Sequence, residues 1–411
     1  MALPIPVPGV SDIIDLLVAT NKWFDQRRKQ QSLKAWREAD FGELCHVLVK
    51  YYESRNVPLF AYPGPAGVPI KVPVYVRPEW SRLTEQSLDK HFEPVKRPYS
   101  PKKAQEDFLT FYREMRRDQG LGDVWDGTIF RLTNIQTSPN QVRLEFEEGQ
   151  FLHSMMCHYI LEHELVVAQP RESASGNLQL KLREEVSGSV QAIESFCKRD
   201  VVCRAGVSNL ILLRSEAGHY LPVIQKRGAQ SLARGLCPVS SGVFDVTTKP
   251  KDDFDLKHKV LKEVYEELFG NPDVVKETKN FDSRFFYPQD GVSDLLKLLE
   301  QGEAKLEVTG LCIDLIRMIP EITTVLVVRD VSYYKRHLEG PGARFLLNEE
   351  YRLTSDIHIP RSIQDADHYL AHEMLTDPDG EERGFDPLRW TLPGAFCFYQ
   401  GLKRAVSSRL L

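Results

Sequence analysis

Glu263, Glu266 and Glu267 are the residues of this chain whose types and spacing could do chemistry. On a helix they fall at i, i+3 and i+4, so their carboxylates share one sector of the surface and repel one another. A hard divalent cation would offset that repulsion. Mg²⁺ or Mn²⁺ takes oxygen ligands, and Mg²⁺ commonly shares its shell with substrate phosphates. A solvated, glutamate-rich helix face accounts for the same spacing, because glutamate is a good helix former.

The element that must carry these acids runs from Asp255 to Gly270, DLKHKVLKEVYEELFG. Asp253 or Asp255 can cap its first turn, where negative charge complements exposed N–H groups. Val260, Leu261, Val264 and Leu268 make a stripe at helical spacing that predicts a buried face, and Gly270 suits a left-handed stop. The acids flank that stripe, which places them at a domain edge where a cleft would open. Upstream, Val207–Arg214 and Tyr220–Lys226 read as a hairpin turning at Gly218, followed by a loop that contains Gly242. Downstream, a helix is predicted at Val292–Gln301, then strands over Glu307–Ile316 and Glu321–Arg329, and a terminal helix after Phe385.

The run from Lys262 to Gly270 resembles the end of the Nudix box, whose pattern is Gly-x5-Glu-x7-Arg-Glu-(apolar)-x-Glu-Glu-x-Gly. Glu263 matches the glutamate after the pattern's arginine, and Glu266 and Glu267 match its glutamate pair. Lys262 stands in place of the arginine, which keeps the charge but loses the planar fork. Gly270 comes one position late, and the upstream glycine and glutamate would fall on Thr248 and Phe254. With Gly242 as a displaced box glycine, Asp252, Asp253 or Asp255 becomes the substitute acid. The resemblance covers roughly Val201 to the C-terminus.

What the resemblance implies is an α+β protein: a Nudix-like mixed β-sheet sandwiched by helices in the C-terminal half, with an N-terminal α/β region of no recognised family. It further implies Mg²⁺ or Mn²⁺ held by Glu263, Glu266 and Glu267, which are also the candidate catalytic residues. Lys226, Arg227, Gly242 and Lys262 are the candidate substrate-binding residues, and Glu349 or Glu350 are additional candidate bases. The activity implied is hydrolysis of a nucleoside diphosphate linked to another moiety. Two further readings stay open. One is a retired Nudix-like domain acting as a nucleotide-metabolite sensor or protein-interaction module. The other is an accidental box in a structural or adaptor protein.

The rest of the chain bounds these readings. With 411 residues and 42% apolar content it has the makings of a two- or three-domain globular protein, so disorder is not the default. The divisions expected are a helical region with a Pro-rich extended segment over 1–100, an α+β region over 101–200, separate or continuous with the first, and the Nudix-like part over 201–411. A net charge of −5 with mixed signs argues against a nucleic-acid polymer as partner; the resemblance implies a nucleotide-derived small molecule, and the sensor or module reading a protein partner engaged through residues 1–200. The seven cysteines form no CxxC pair, which suggests reduced thiols and a cytoplasmic setting. The N-terminal stretch reads as neither signal peptide nor membrane span. His153, His158 and His163 recur every five residues, which turns successive rings by about 140° around a helix and prevents a shared metal. Helices are expected over residues 11–37, at Phe41–Glu53 and at about Ala104–Asp118, with paired strands near Thr128–Leu132 and Gln141–Glu147.

Overall fold

A computed structural model of the chain describes residues 40–64, 67–90, 110, 113–114, 117, 125–139, 141–175, 180–198, 203–227, 235–238, 240–269, 282–339, 351–353, 374–376 and 382–411. Helix α1 (Phe41–Glu53) begins on a side-chain cap, the Asp40 carboxylate accepting from the Glu43 amide at 2.8 Å. Its stripe of Leu44, Cys45, Leu48, Tyr51 and Tyr52 is buried. The Pro- and Gly-rich stretch that follows supports only two-residue strands, β1 (Ala61–Tyr62), β2 (Ile70–Lys71) and β3 (Val74–Tyr75). β1 pairs with β2, and β3 closes the edge of the main sheet, where nearby prolines are tolerated. The helix expected over residues 11–37 lies outside the described residues, as does most of the one expected at Ala104–Asp118.

A small second sheet holds β4 (Leu88–Lys90), β5 (Thr128–Ser138) and β6 (Gln141–Gln150), with β6 in the middle, parallel to β4 and antiparallel to β5. Val142, Leu144 and Phe146 are buried in alternation, as a period of two requires. Helix α2 (Phe151–Ser175) follows and carries the three histidines. His158 Nδ1 donates to the Arg317 carbonyl at 2.7 Å, while Nε2 accepts from the Arg204 amide at 3.3 Å. Its ring is therefore fully committed to the backbone. Helix α3 (Lys181–Ser187) supplies Arg183, a buried guanidinium that donates to the Leu161 and Ile316 carbonyls at 2.9 and 2.7 Å. Together with the buried Glu162–Arg317 pair at 2.6 Å, it ties α2 and α3 to the turn after β11.

The main sheet contains β7 (Gly206–Arg214), β8 (Tyr220–Arg227), β9 (Gly235–Pro238), β10 (Ser241–Val243), β11 (Ala304–Asp314), β12 (Ile319–Val328) and β13 (Tyr351–Leu353). Its order is β13-β8-β7-β12-β11-β3, with β9 beside β8 and β10 beside β7. β7 and β12 run parallel and the remaining pairs are antiparallel, so the sheet is mixed. The β7–β8 hairpin turns at Gly218, whose φ of +82° suits a residue without a Cβ. Every residue of β12 is buried, as expected of a strand covered on both faces. Helix α4 (Leu256–Glu263) packs on β7, α5 (Asp290–Gln301) on β11, and α6 (Leu392–Ser407) on β7, β11 and β12. The fold is mixed α+β. Among the described residues no helix is long and apolar enough to cross a membrane, and the six cysteines whose side chains are described are buried and in no disulfide.

Candidate functional site

The acidic helix forms on the predicted cap and stripe. Asp255 accepts from the Lys257 and His258 amides at 2.8 and 3.2 Å, and Val260, Leu261, Val264 and Leu268 are all buried. Its second half differs from the expectation. After Glu263 the backbone widens into a π-helical turn over Val264–Leu268, so Glu266 and Glu267 leave the regular α-helical spacing. Such turns are often found at functional sites.

Glu263 is only 7% exposed, and no open edge receives it. A Cβ on Gly242 would stand 2.7–2.9 Å from its carboxylate atoms, so the glycine is what permits this approach of β10 to α4. One turn earlier, Lys259 donates to Glu263 and also to Asp245 Oδ1 at 2.7 Å. Lys262 donates to Asp245 Oδ2 at 2.6 Å. The four side chains make an alternating buried row: carboxylate, ammonium, carboxylate, ammonium.

The field of this row is self-consistent. Burial alone would raise the Asp245 carboxyl, but Lys259 and Lys262 overcome it and hold the group well below the usual carboxylate range. Burial alone would likewise lower the Lys259 ammonium, but Asp245, then Glu263 and Glu266, hold it above the ordinary lysine value. Glu267 turns toward the loop, its Oε2 accepting from the Ser240 amide at 2.5 Å and more weakly from Ser241 at 3.4 Å. Ser240 has a φ of +75°, so this carboxylate braces a left-handed residue at the entrance to β10.

The substitute acids have separate tasks. Asp253 Oδ2 accepts from the amides of Thr247, Thr248 and Lys249 at 2.8, 2.7 and 3.0 Å, which fixes the loop before α4. Its other oxygen lies 3.6 Å from His258 Nε2. Asp255 is the helix cap, and Asp252 lines a crevice of about 570 Å³ beside the first turn of α4. Phe244 and Phe254 also line that crevice, with Lys251 and Arg284 as its cations and Glu85 and Asp255 joining Asp252 as its acids.

Of the residues expected to bind substrate, Gly242 abuts Glu263 and Lys262 is buried on Asp245. Lys226 and Arg227 close β8, paired in register with Leu236 and Gly235, and their side chains lie outside the described residues. Glu349, Glu350 and Gly270 lie outside them too. The structure thus brings Glu263, Glu267, Gly242 and Lys262 around one turn, and adds Asp245 and Lys259, which sequence reasoning missed. Their signal is present in retrospect. Lys259 is i−4 from Glu263, and Asp245 follows Gly242 by three residues.

The donors do not fit a divalent cation as they stand. Glu263 is matched by an ammonium, and Glu267 Oε2 accepts from backbone amides. Compared with known proteins, the chain matches no protein-family model, and no curated protein is significantly similar to it.

Proposed function

We propose that this chain carries a Nudix-like module that binds a nucleotide-derived diphosphate without hydrolysing it, an internal lysine taking the position where a divalent cation would act. The observation that carries this reading is the Lys259 ammonium, buried between Asp245 Oδ1 at 2.7 Å and the Glu263 carboxylate. Its charge removes the repulsion that would otherwise draw in Mg²⁺ or Mn²⁺, and a second cation there would face it at close range in a medium of low dielectric. The contact of Gly242 with Glu263 and the bond from the Ser240 amide to Glu267 support a loop-to-helix junction retained as scaffold. The crevice beside α4 offers a ligand the apolar surface of Phe244 and Phe254 and the cations Lys251 and Arg284, beside the carboxylates of Glu85, Asp252 and Asp255.

A second reading, a Mg²⁺- or Mn²⁺-dependent pyrophosphohydrolase, is favoured by the gathering of Glu263, Glu267 and Gly242 at one turn, and it requires Lys259 to leave the site. The full chain incubated with ADP-ribose, NAD and dinucleoside polyphosphates in the presence of either metal separates the two. Thermal stabilisation by one of these compounds without turnover is the expected result. Metal-dependent release of a phosphate-bearing product, abolished in Glu266→Gln plus Glu267→Gln, would overturn the binding reading and establish the hydrolase.

A further inference from the structure

Three arginines meet at the end of the main sheet remote from the acidic helix. Arg214 is the last residue of β7, Arg329 follows β12, and Arg409 lies just beyond α6. They line an open cavity of about 500 Å³ with Tyr220 and Gly218. The parallel β7–β12 ladder ends with Val328 opposite Leu213, one residue before Arg329 and Arg214, and both guanidinium charges act on Tyr220. Like charges gathered on one surface repel, and an anion there would offset the repulsion.

Among the described residues none of the three makes an ion pair. Arg329 is instead fixed by the backbone: its Nε donates to the Leu410 carbonyl at 2.7 Å and its Nη2 to that of Arg409 at 3.4 Å. Glu303 is a carboxylate whose field reaches Tyr220, opposed there by Arg214 and Arg329.

Arg409 adds an independent observation. The Leu410 amide donates to the Ala405 carbonyl at 2.9 Å and the Arg409 amide to that of Val406 at 3.2 Å, the bond pattern of a Schellman stop after α6. The residue at that stop is left-handed, and Arg409 has a φ of +51°. Glycine is the favoured occupant because it has no Cβ. An arginine there accepts backbone strain, and its side chain joins the cavity that Arg214 and Arg329 line.

We infer that this arginine cluster is a binding site for the phosphoryl group of a small anionic ligand. Planar guanidinium forks match phosphate oxygens two at a time, and the cavity has room for a diphosphate. The site lies near the C-terminal end of β7, whereas Gly242 pairs with Val207 near the other end. Seven residues at about 3.3 Å each put it roughly 23 Å along the strand from the Gly242 pairing, so it stands whether or not the acidic helix binds a nucleotide.

The test is calorimetric titration of the full chain with inorganic pyrophosphate, and separately with adenosine 5′-diphosphate, at ionic strength held constant with chloride. Saturable binding of either is expected, with Arg214→Gln plus Arg409→Gly weakening it at least tenfold. Arg409→Gly alone should raise the melting temperature without ligand and yet lose most of the shift that pyrophosphate produces in the wild type. A structural role for Arg409 would not separate those two readouts. Absence of saturable binding by the wild type, or equal affinity in the double variant, overturns the assignment.

Discussion

Replacing Lys259 by methionine keeps an unbranched, flexible stem and removes the ammonium, which leaves Glu263 ionised against β10 with its cation gone. Across the 2.7 Å contact to Asp245, Coulomb attraction is about 6 kcal/mol at an effective dielectric constant of about 20, before desolvation is subtracted. Breaking a buried pair by removing one partner costs about 3–5 kcal/mol. Lys262 still holds Asp245 at 2.6 Å, so the loss falls mainly on Glu263 and the lower figure, about 3 kcal/mol, is expected. Equilibrium urea unfolding at pH 7 of wild type, Lys259→Met, Glu263→Gln and the double variant measures it. The double variant should recover most of the deficit, giving a coupling energy of about 2 kcal/mol, because a neutral amide has no charge to leave unmatched. Millimolar Mg²⁺ should raise the midpoint of Lys259→Met and leave the wild type unmoved, since only the variant has two carboxylates facing each other without the ammonium between them. Wild-type stability in Lys259→Met, or equal Mg²⁺ stabilisation of both proteins, would refute the reasoning.

Two other perturbations test the same junction. Asp245 is depressed in the folded state, so its ionisation contributes stability that is complete above about pH 3.9 and lost as pH falls through its folded-state value. Asp245→Asn should therefore be less stable by about 3 kcal/mol at pH 7, and the gap to wild type, followed by circular dichroism during acid titration, should narrow below about pH 4. An unchanged gap down to pH 2 would show that the lysines do not hold this group down. Glu267→Ala removes the acceptor of the Ser240 amide and should cost about 1–3 kcal/mol. Hydrogen exchange should quicken at Ser240 and Ser241 with the β7 amides unaffected; uniform quickening would mean the residue supports the whole sheet instead of its loop.

The fold was legible where periodicity is strong and local. Helix α1 matches its predicted span residue for residue, because Asp40 caps it and its apolar spacing is regular. The β5–β6 and β7–β8 pairs, α5, β11, β12 and the terminal helix follow from the same signals, alternation, turn glycine and caps. The parallel pairing of β7 with β12 was not legible, since it joins residues more than a hundred positions apart and no local pattern encodes it. Nor was the recruitment of β3 to the sheet edge, which depends on which partner the short strand finds.

The site was legible in composition and not in charge balance. Glu263, Glu266 and Glu267 were singled out because glutamates at i, i+3 and i+4 on a helix stand out, and Gly242 because a glycine loop precedes that helix. Lys259 was not singled out and Lys262 was read as a substrate-binding residue in place of the box arginine, although both flank the very stripe, Val260, Leu261 and Val264, that is buried. A lysine with an acid at i+4 can be an exposed helix pair worth a few tenths of a kcal/mol or a buried one worth several, and local spacing is the same in both cases. What decides is Asp245, fourteen residues before Lys259, brought under the helix by the turn at Ser240–Gly242. That carboxylate gives both ammonium groups a reason to be inside, and once they are inside the acidic helix carries its own cation. The same three glutamates that suggest a metal site in the sequence are, in the fold, partly neutralised from within by Lys259.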